Sequence, residues 1–393
     1  MTNPLQSKFS DLRGALIERH IERYDEVEIG LVAVLAKYHV VLIGPPGTAK
    51  SMLAEDLVSA FSGARLFRYL FTKFTTPEEI FGPWDLSLLK EGKYQRILTG
   101  KAPEAHLIFE DEVFKANSAI LNAQLTLMNE RLYDNGVDRI ECPLITVFAA
   151  SNELPEGEEL WALFDRFHLR KRVDYIHEPG NFAKMLQSNG KFEFEGLTLD
   201  DLIEAQEQVI EVQISDAILD TQIDIRSDMQ LEGLIASDRR YKQSLVAMKA
   251  MAWLYGRTAV NDDDFRILEH MLWTNPEDIK KVSRIILNHT NPLDQEANEI
   301  IDIADEIAGQ LATALMDARS RGVDTDQTLT KQGIEWFTRC KKLSEQIKRL
   351  EQKAIKAGRP TNRIEQAKDR VLRVAREVGH NTIGLDSMEI ERP

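Results

Sequence analysis

Apolar positions near the start of the chain recur at helical spacing. Phe9, Leu12 and Leu16 mark one helix, and Val27, Leu31, Val34 and Leu35 mark a second. The period then changes in HVVLIGPPGTAKS, which reads as a short β-branched strand, a Gly/Pro loop and a helix opening at Lys50–Ser51. Further strands are expected at 66–71, 107–110, 144–149 and 168–173, with helices between several of them. Strands alternating with helices predict a mainly parallel sheet covered on both faces. Two hairpins should interrupt that rhythm. One is RLYDNGVDRI, where Asn135–Gly136 supplies a strong turn signal, and the other is LSLLKEGKYQRI, turning near Glu91–Gly92.

His177–Glu178–Pro179–Gly180 reads as a hinge. From Leu197 to about Trp273 the pattern is helical, with Ser237 and Asn261 in N-cap positions. Beyond Asn275–Pro276 the apolar residues fall into three heptad-like seams. These are Ile300, Ala304, Ile307, Leu311, Ala314; then Trp336, Cys340, Leu343, Ile347, Leu350; then Ile364, Ala367, Val371, Val374, Val378 after a break at Gly358–Arg359–Pro360. Short seams joined by turns predict a packed helical bundle or hairpin rather than one long coiled coil.

Composition narrows the function classes. At 393 residues the chain exceeds one compact core. The formal charge of −15 is uneven: residues 331–393 carry 15 Lys/Arg against 9 Asp/Glu, or +6, which leaves −21 for the first 330. So acidic a body repels phosphate backbones and argues against non-specific nucleic-acid binding by the main domain. The basic tail, its charges spaced around helices as on solvated faces, keeps that question open. The best apolar run, Gly30 to Gly44, is interrupted by Lys37 and His39, so no membrane insertion is expected. The N-terminus shows no charged region followed by an apolar core, and Cys142 and Cys340 match no metal or redox spacing. Reduced thiols in a cytoplasmic setting are the expectation.

Candidate chemistry comes from two stretches. In HLIFEDEVFKA the apolar Leu107, Ile108 and Phe109 run straight into Glu110, Asp111 and Glu112. A buried strand ending in carboxylates calls for a strongly positive partner. GPPGTAKS supplies the setting for one, because a loop of Gly44, Pro45, Pro46, Gly47, Thr48 and Ala49 between a strand and a helix turns backbone N–H groups toward phosphate. Lys50 would reach the β/γ-phosphates of ATP, the Ser51 hydroxyl would ligate Mg²⁺, and Asp111 would be the Mg²⁺ carboxylate, either directly or through a bound water. Glu112 would be the base that orients attacking water.

With both motifs in hand, residues 9 to 275 resemble a MoxR-family AAA+ ATPase of the RavA-like subgroup. The resemblance rests on GPPGTAKS, KFTTPEEIFGP, FEDEVFKANSAILNAQLTLMNER, FAASNELPEG, LFDRFHLR and SDRRYKQSLVAM. It implies an αβα nucleotide-binding core over 1–190 with β-hairpin inserts, an all-helical lid over 191–275, and a C-terminal helical extension over 276–393. It also implies that Asn152 holds the attacking water and γ-phosphate, and that Arg166 is an arginine finger reaching the adjacent subunit. Arg239, or else Arg240, would reach back from the lid to the nucleotide. The segment Glu22–Arg23–Tyr24 would border the adenine, with Tyr24 as its contact residue. The expected whole is a hexameric ring that hydrolyses ATP to remodel a protein client, chaperone-like, with a von Willebrand A domain partner. A nucleic-acid motor and a slow nucleotide-gated scaffold are the competing classes; Lys90, Lys93 and Tyr94 are a thin signal for the former. Two positions depart from the pattern: Ala49 replaces the usual last glycine of the loop, which is harmless only without a positive φ there, and Glu110 replaces an apolar residue.

Overall fold

A computed structural model describes residues 3–187, 192–320, 327–357 and 361–384, which divide into two compact units, Met1–Ser283 and Arg284–Pro393. The break expected at Asn275–Pro276 is a short 3₁₀ turn within the first unit, and α12 (Ile279–Thr290) carries the chain across the boundary.

The first unit is built on a five-stranded sheet. Its strands are β1 (Val40–Ile43), β3 (Leu66–Leu70), β4 (Leu107–Asp111), β7 (Thr146–Ser151) and β8 (Leu169–Arg172), all parallel and ordered β3-β4-β7-β1-β8. A minor pair, β2 (Phe61–Ser62) with β9 (Leu197–Thr198), lies apart from it. β1, β4 and β7 are buried along almost their whole length, as parallel strands covered on both faces must be. The covering helices are α1 (Pro4–Arg19), α2 (Tyr24–Ala36), α3 (Lys50–Ser59), α6 (Ser118–Glu130) and α7 (Glu158–Phe164). α8 (Pro179–Gln187) follows the sheet. The chain continues as helices, with α9 (Leu199–Glu211), α10 (Asp216–Leu231), α11 (Asp238–Leu254) and a 3₁₀ segment, Asp262–His270. Ser237 and Asn261 cap the last two as expected, their side chains accepting from the backbone N–H of Arg240 and Asp263.

The insert at Asn135–Gly136 is a hairpin, β5 (Leu132–Asn135) with β6 (Asp138–Glu141). The other expected hairpin is not. Between α4 (Pro77–Phe81) and β4 the chain forms α5 (Leu86–Lys90), because Asp85 accepts from the N–H of Ser87 at 2.8 Å and Leu88 at 3.2 Å and so caps a helix. Only the single bridge Trp84↔Arg96 keeps strand character. The two inserts are joined: Arg96 N–H donates to Asn135 Oδ1 at 2.7 Å, and Asn135 Nδ2 donates to Arg96 O at 3.1 Å. Gly136 is obligatory at this junction. Its φ is +71°, and a Cβ there would stand 2.0 Å from the Tyr94 carbonyl oxygen.

In the second unit α13 (Pro292–Ser320), α14 (Gln327–Ala357) and α15 (Asn362–Val378) pack as a bundle. All the seam residues are buried except Ala314, which is half-buried. The break expected at Gly358–Arg359–Pro360 lies outside the described residues. Both cysteines are buried and unpaired. Among the described residues no helix is long and apolar enough to cross a membrane.

Candidate nucleotide site

Strand order decides what meets at the carboxyl end of the sheet. β7 lies between β4 and β1, with Asp111 level with Ala150 and Ser151 level with Ile43. The loop after β1, the carboxylates ending β4 and the residue following β7 therefore converge, the usual ligand crevice of a parallel sheet. Lys50, at the start of α3, points its ammonium across that crevice. It donates to Gly44 O at 2.7 Å, Pro45 O at 2.9 Å, Asn152 Oδ1 at 3.3 Å and Thr48 Oγ1 at 3.4 Å. Burial lowers the Lys50 pKa, and the charges of Asp111 and Glu112 pull against that fall. Gly44 is as tightly placed, since a Cβ would lie 2.0 Å from the Val173 carbonyl oxygen.

Ser51 Oγ stands 3.4 Å from Asp111 Oδ2. Both are hard oxygen donors, which suits Mg²⁺, and no group of three or more His, Cys, Asp or Glu side chains poised for a metal occurs among the described residues. An ion held here would draw its remaining ligands from phosphate and water, as Mg²⁺ commonly does. Glu112 follows with φ +55°, the left-handed region, and this turns its carboxylate out of the strand line. Its two oxygens are held separately. Asn152 Nδ2 donates to Oε1, and Lys115 Nζ lies 3.2 Å from Oε2. Lys115 was not singled out from the sequence, though its position three residues after Glu112 was available as a signal.

Ala49 has φ +63°, so the position does demand the left-handed conformation that was to be avoided. That conformation costs an L-residue about 1–2 kcal/mol, and glycine would return part of the gain through its freer unfolded chain. Ala49→Gly is expected to stabilise the protein by about 0.5–1 kcal/mol, read as a rise in urea midpoint at unchanged slope.

Beside the loop opens a cavity of about 480 Å³, walled by His20, Ile21, Arg23, Met52, Tyr175, Ile176 and Phe182 among others. Tyr24 is not in that wall. Its hydroxyl is 2.7 Å from that of Tyr255, within a cluster around the buried Glu28 that also takes in Arg13 and Arg266. Arg23 instead bridges the parts, donating to Thr48 O at 3.3 Å and Asp174 O at 2.6 Å. Glu22 accepts from the N–H of His177 at 2.8 Å and Glu178 at 2.9 Å, at the start of α8.

Arg166 and Arg239 come together away from this cavity wall. Both pair with Asp165 Oδ2, at 3.3 and 2.9 Å. Arg239 thus lies beside Arg166 rather than reaching back over the loop. Arg240 is buried and spends its donors on Asp165 and on the carbonyls of Phe167, His168 and Met271, which makes it a tie between core and lid. Of the two arginines left open by the sequence, only Arg239 is exposed enough to meet a ligand.

Glu110 points away from the crevice. It is buried and takes a hydrogen bond from Gln124 Nε2 of α6. Burial pushes its carboxyl up to about 8, against the pull of that hydrogen bond. A neutral Glu110 also has a hydroxyl to offer Gln124 Oε1, a buried oxygen otherwise without a partner. The folded protein thus keeps a proton that the unfolded chain releases near 4.5, so stability should fall as pH rises from about 4.5 to about 8. Glu110→Gln is expected to remove that slope and to add on the order of 2–4 kcal/mol at pH 8. Urea titrations at pH 5 and pH 8 measure it, and equal losses at both would mean an ionised, paired Glu110.

The model of the MoxR domain in MoxR–vWA–beta-propeller ternary systems matches residues 7–213. The chain belongs to the MoxR family of AAA+ ATPases. An AAA lid domain model matches residues 217–286, running from α10 into α12. This MoxR-family chain is 37% identical to the uncharacterized protein MJ0812 of Methanocaldococcus jannaschii over 358 residues, 90% of this chain and 94% of the relative. It is 28% identical to chaperone MoxR1 of Mycobacterium tuberculosis over 40% of this chain and 42% of that protein. A crystal structure of a protein from Cytophaga hutchinsonii assigned as an ATPase shares the fold, with TM-score 0.59 at 20% identity over 72% of this chain and 94% of that one.

Proposed function

We propose that this MoxR-family chain hydrolyses ATP with Mg²⁺ in a ring of identical subunits, and uses the cycle to remodel or activate a protein client. The observation carrying the reading is the convergence of Lys50, Ser51–Asp111 and Glu112–Asn152 at three adjacent strand ends. In this reading the GPPGTAKS loop cradles the phosphates and Lys50 exchanges its carbonyl partners for β/γ-oxygens. Ser51 and Asp111 hold Mg²⁺, which neutralises phosphate charge when bound. Glu112 takes the proton of the attacking water, while Asn152 fixes the Glu112 carboxylate in place. The cavity beside Arg23 accommodates the base. Arg166 and Arg239, gathered on one carboxylate, serve the nucleotide of the next subunit.

The partner side follows from the matched family, whose systems pair the MoxR domain with vWA and beta-propeller components. A von Willebrand A domain protein is therefore the expected partner, with a beta-propeller protein as the third component. The test combines sedimentation with ATP turnover. ATP and Mg²⁺ should drive the chain into a larger species, hydrolysis should stop when Mg²⁺ is chelated, and a vWA partner should change the rate. A chain that stays monomeric and binds no ATP would sink the proposal.

A further inference from the structure

The turn after α7 holds an unusual balance of charge. Four guanidinium groups surround Asp165, the only acid paired with any of them among the described residues. Its oxygens divide them into two kinds. Oδ1 faces Arg240 at 2.8 Å and Arg170 at 3.6 Å, whose side chains are only 8% and 2% exposed. Those two also donate to backbone carbonyls, Arg170 to Phe164, Phe167 and Trp273, so their charge is committed to the fold. Oδ2 faces Arg166 and Arg239, whose side chains are 26% and 54% exposed. Neither has another acidic partner among the described residues, and Arg166 Nε is buried without a hydrogen bond.

Two like charges sharing one oxygen repel each other, and a negative charge on that oxygen offsets the repulsion by attracting both. One carboxylate against four cations also leaves a net positive cluster, open on its exposed side to a further anion. Arg166 comes from the core and Arg239 from the lid, so the oxygen between them also joins the two parts at this point. We propose that Asp165 is a positioning residue, which holds Arg166 and Arg239 as one cationic pair presented to the phosphates bound by a neighbouring copy. This rests on the arginine-finger reading above and adds to it the group that makes the two arginines act together. The buried pair on Oδ1 anchors the carboxylate, and the exposed pair on Oδ2 is what it aims.

Asp165→Asn should lower kcat at least tenfold with KM for ATP little changed, because each subunit keeps its own binding loop. Mixing separates this role from a structural one. Glu112→Gln subunits cannot use their own ATP but still offer intact arginines. In mixed rings, Asp165→Asn subunits should recover turnover wherever their nucleotide faces a Glu112→Gln neighbour. No recovery in rings shown to be mixed would overturn the proposal, since the defect would then lie in the variant's own site. If Asp165→Asn does not fold, Asp165→Glu takes its place. It keeps a charge for Arg240 but displaces the exposed pair, and the same recovery is expected. In an Arg239→Ala background Asp165→Asn should add much less than its full loss, whereas an undiminished further loss counts against the pairing. Arg166→Ala separates the two levels. Parental turnover by that variant sinks the arginine-finger reading itself, whereas an inactive Arg166→Ala beside a fully active Asp165→Asn sinks the positioning role alone.

Discussion

Glu112→Gln is expected to load with ATP and turn it over about 10³-fold more slowly, within the range that a positioned general base contributes. The substitution is nearly isosteric and leaves the left-handed backbone at this position as it is, so any strain there is unchanged. It removes a charge from Oε2, where Lys115 sits at 3.2 Å, and replaces a proton acceptor with an amide. Asn152 can still donate to the remaining carbonyl oxygen. Binding should survive because Lys50, Ser51 and the loop are untouched, and losing one negative charge near the phosphates favours retention. The measurement is single-turnover hydrolysis beside nucleotide retention on the assembled protein. Turnover near the parental rate would remove Glu112 from its role and leave Asp111 as the remaining acid in the crevice.

The elements that patterning made legible are those whose signal is local. Branched apolar runs placed β1, β4 and β7, and Asn135–Gly136 placed the hairpin, because each depends on residues close in the chain. The bundle seams were readable for the same reason: heptad spacing marks the face that Val371 and Val374 bury, whatever packs against it. For LSLLKEGKYQRI the turn signal at Glu91–Gly92 favours a hairpin, while the deciding interaction is the Asp85 side chain, which caps the helical turn that follows it. Site residues divide in the same way. Lys50, Ser51, Asp111 and Glu112 sit in contiguous motifs whose strands had to end on the same side of the sheet for the chemistry to work. Tyr24 and Arg239 depend instead on contacts across the fold. Nothing in the local sequence says that Tyr24 meets Tyr255, or that Arg239 comes to rest on Asp165. Within Glu22–Arg23–Tyr24, nothing in the sequence sets Arg23 apart from Tyr24, because a buried arginine holding backbone carbonyls leaves no spacing signature.

Lys50→Ala should weaken ATP binding by about 10²–10³-fold, or roughly 3–4 kcal/mol, the loss of a charged donor shared between two phosphate groups. The geometry argues for a loss in binding rather than in rate. Lys50 Nζ already lies across the loop, 2.7 Å from Gly44 O and 2.9 Å from Pro45 O, at the place where phosphate oxygens would enter. No other ammonium or guanidinium reaches those carbonyls among the described hydrogen bonds; Arg23, which also touches the loop, is occupied with Thr48 O and Asp174 O. Alanine therefore leaves no substitute charge, and it also leaves two loop carbonyls without their donor. For that reason the experiment reads two quantities: ATP affinity by calorimetry and unfolding free energy without nucleotide. A variant that melts close to the parent yet binds ATP weakly assigns the loss to the missing phosphate contact. A variant that binds ATP as tightly as the parent would mean that the GPPGTAKS loop is not the phosphate cradle, and the functional reading built on it would have to be abandoned.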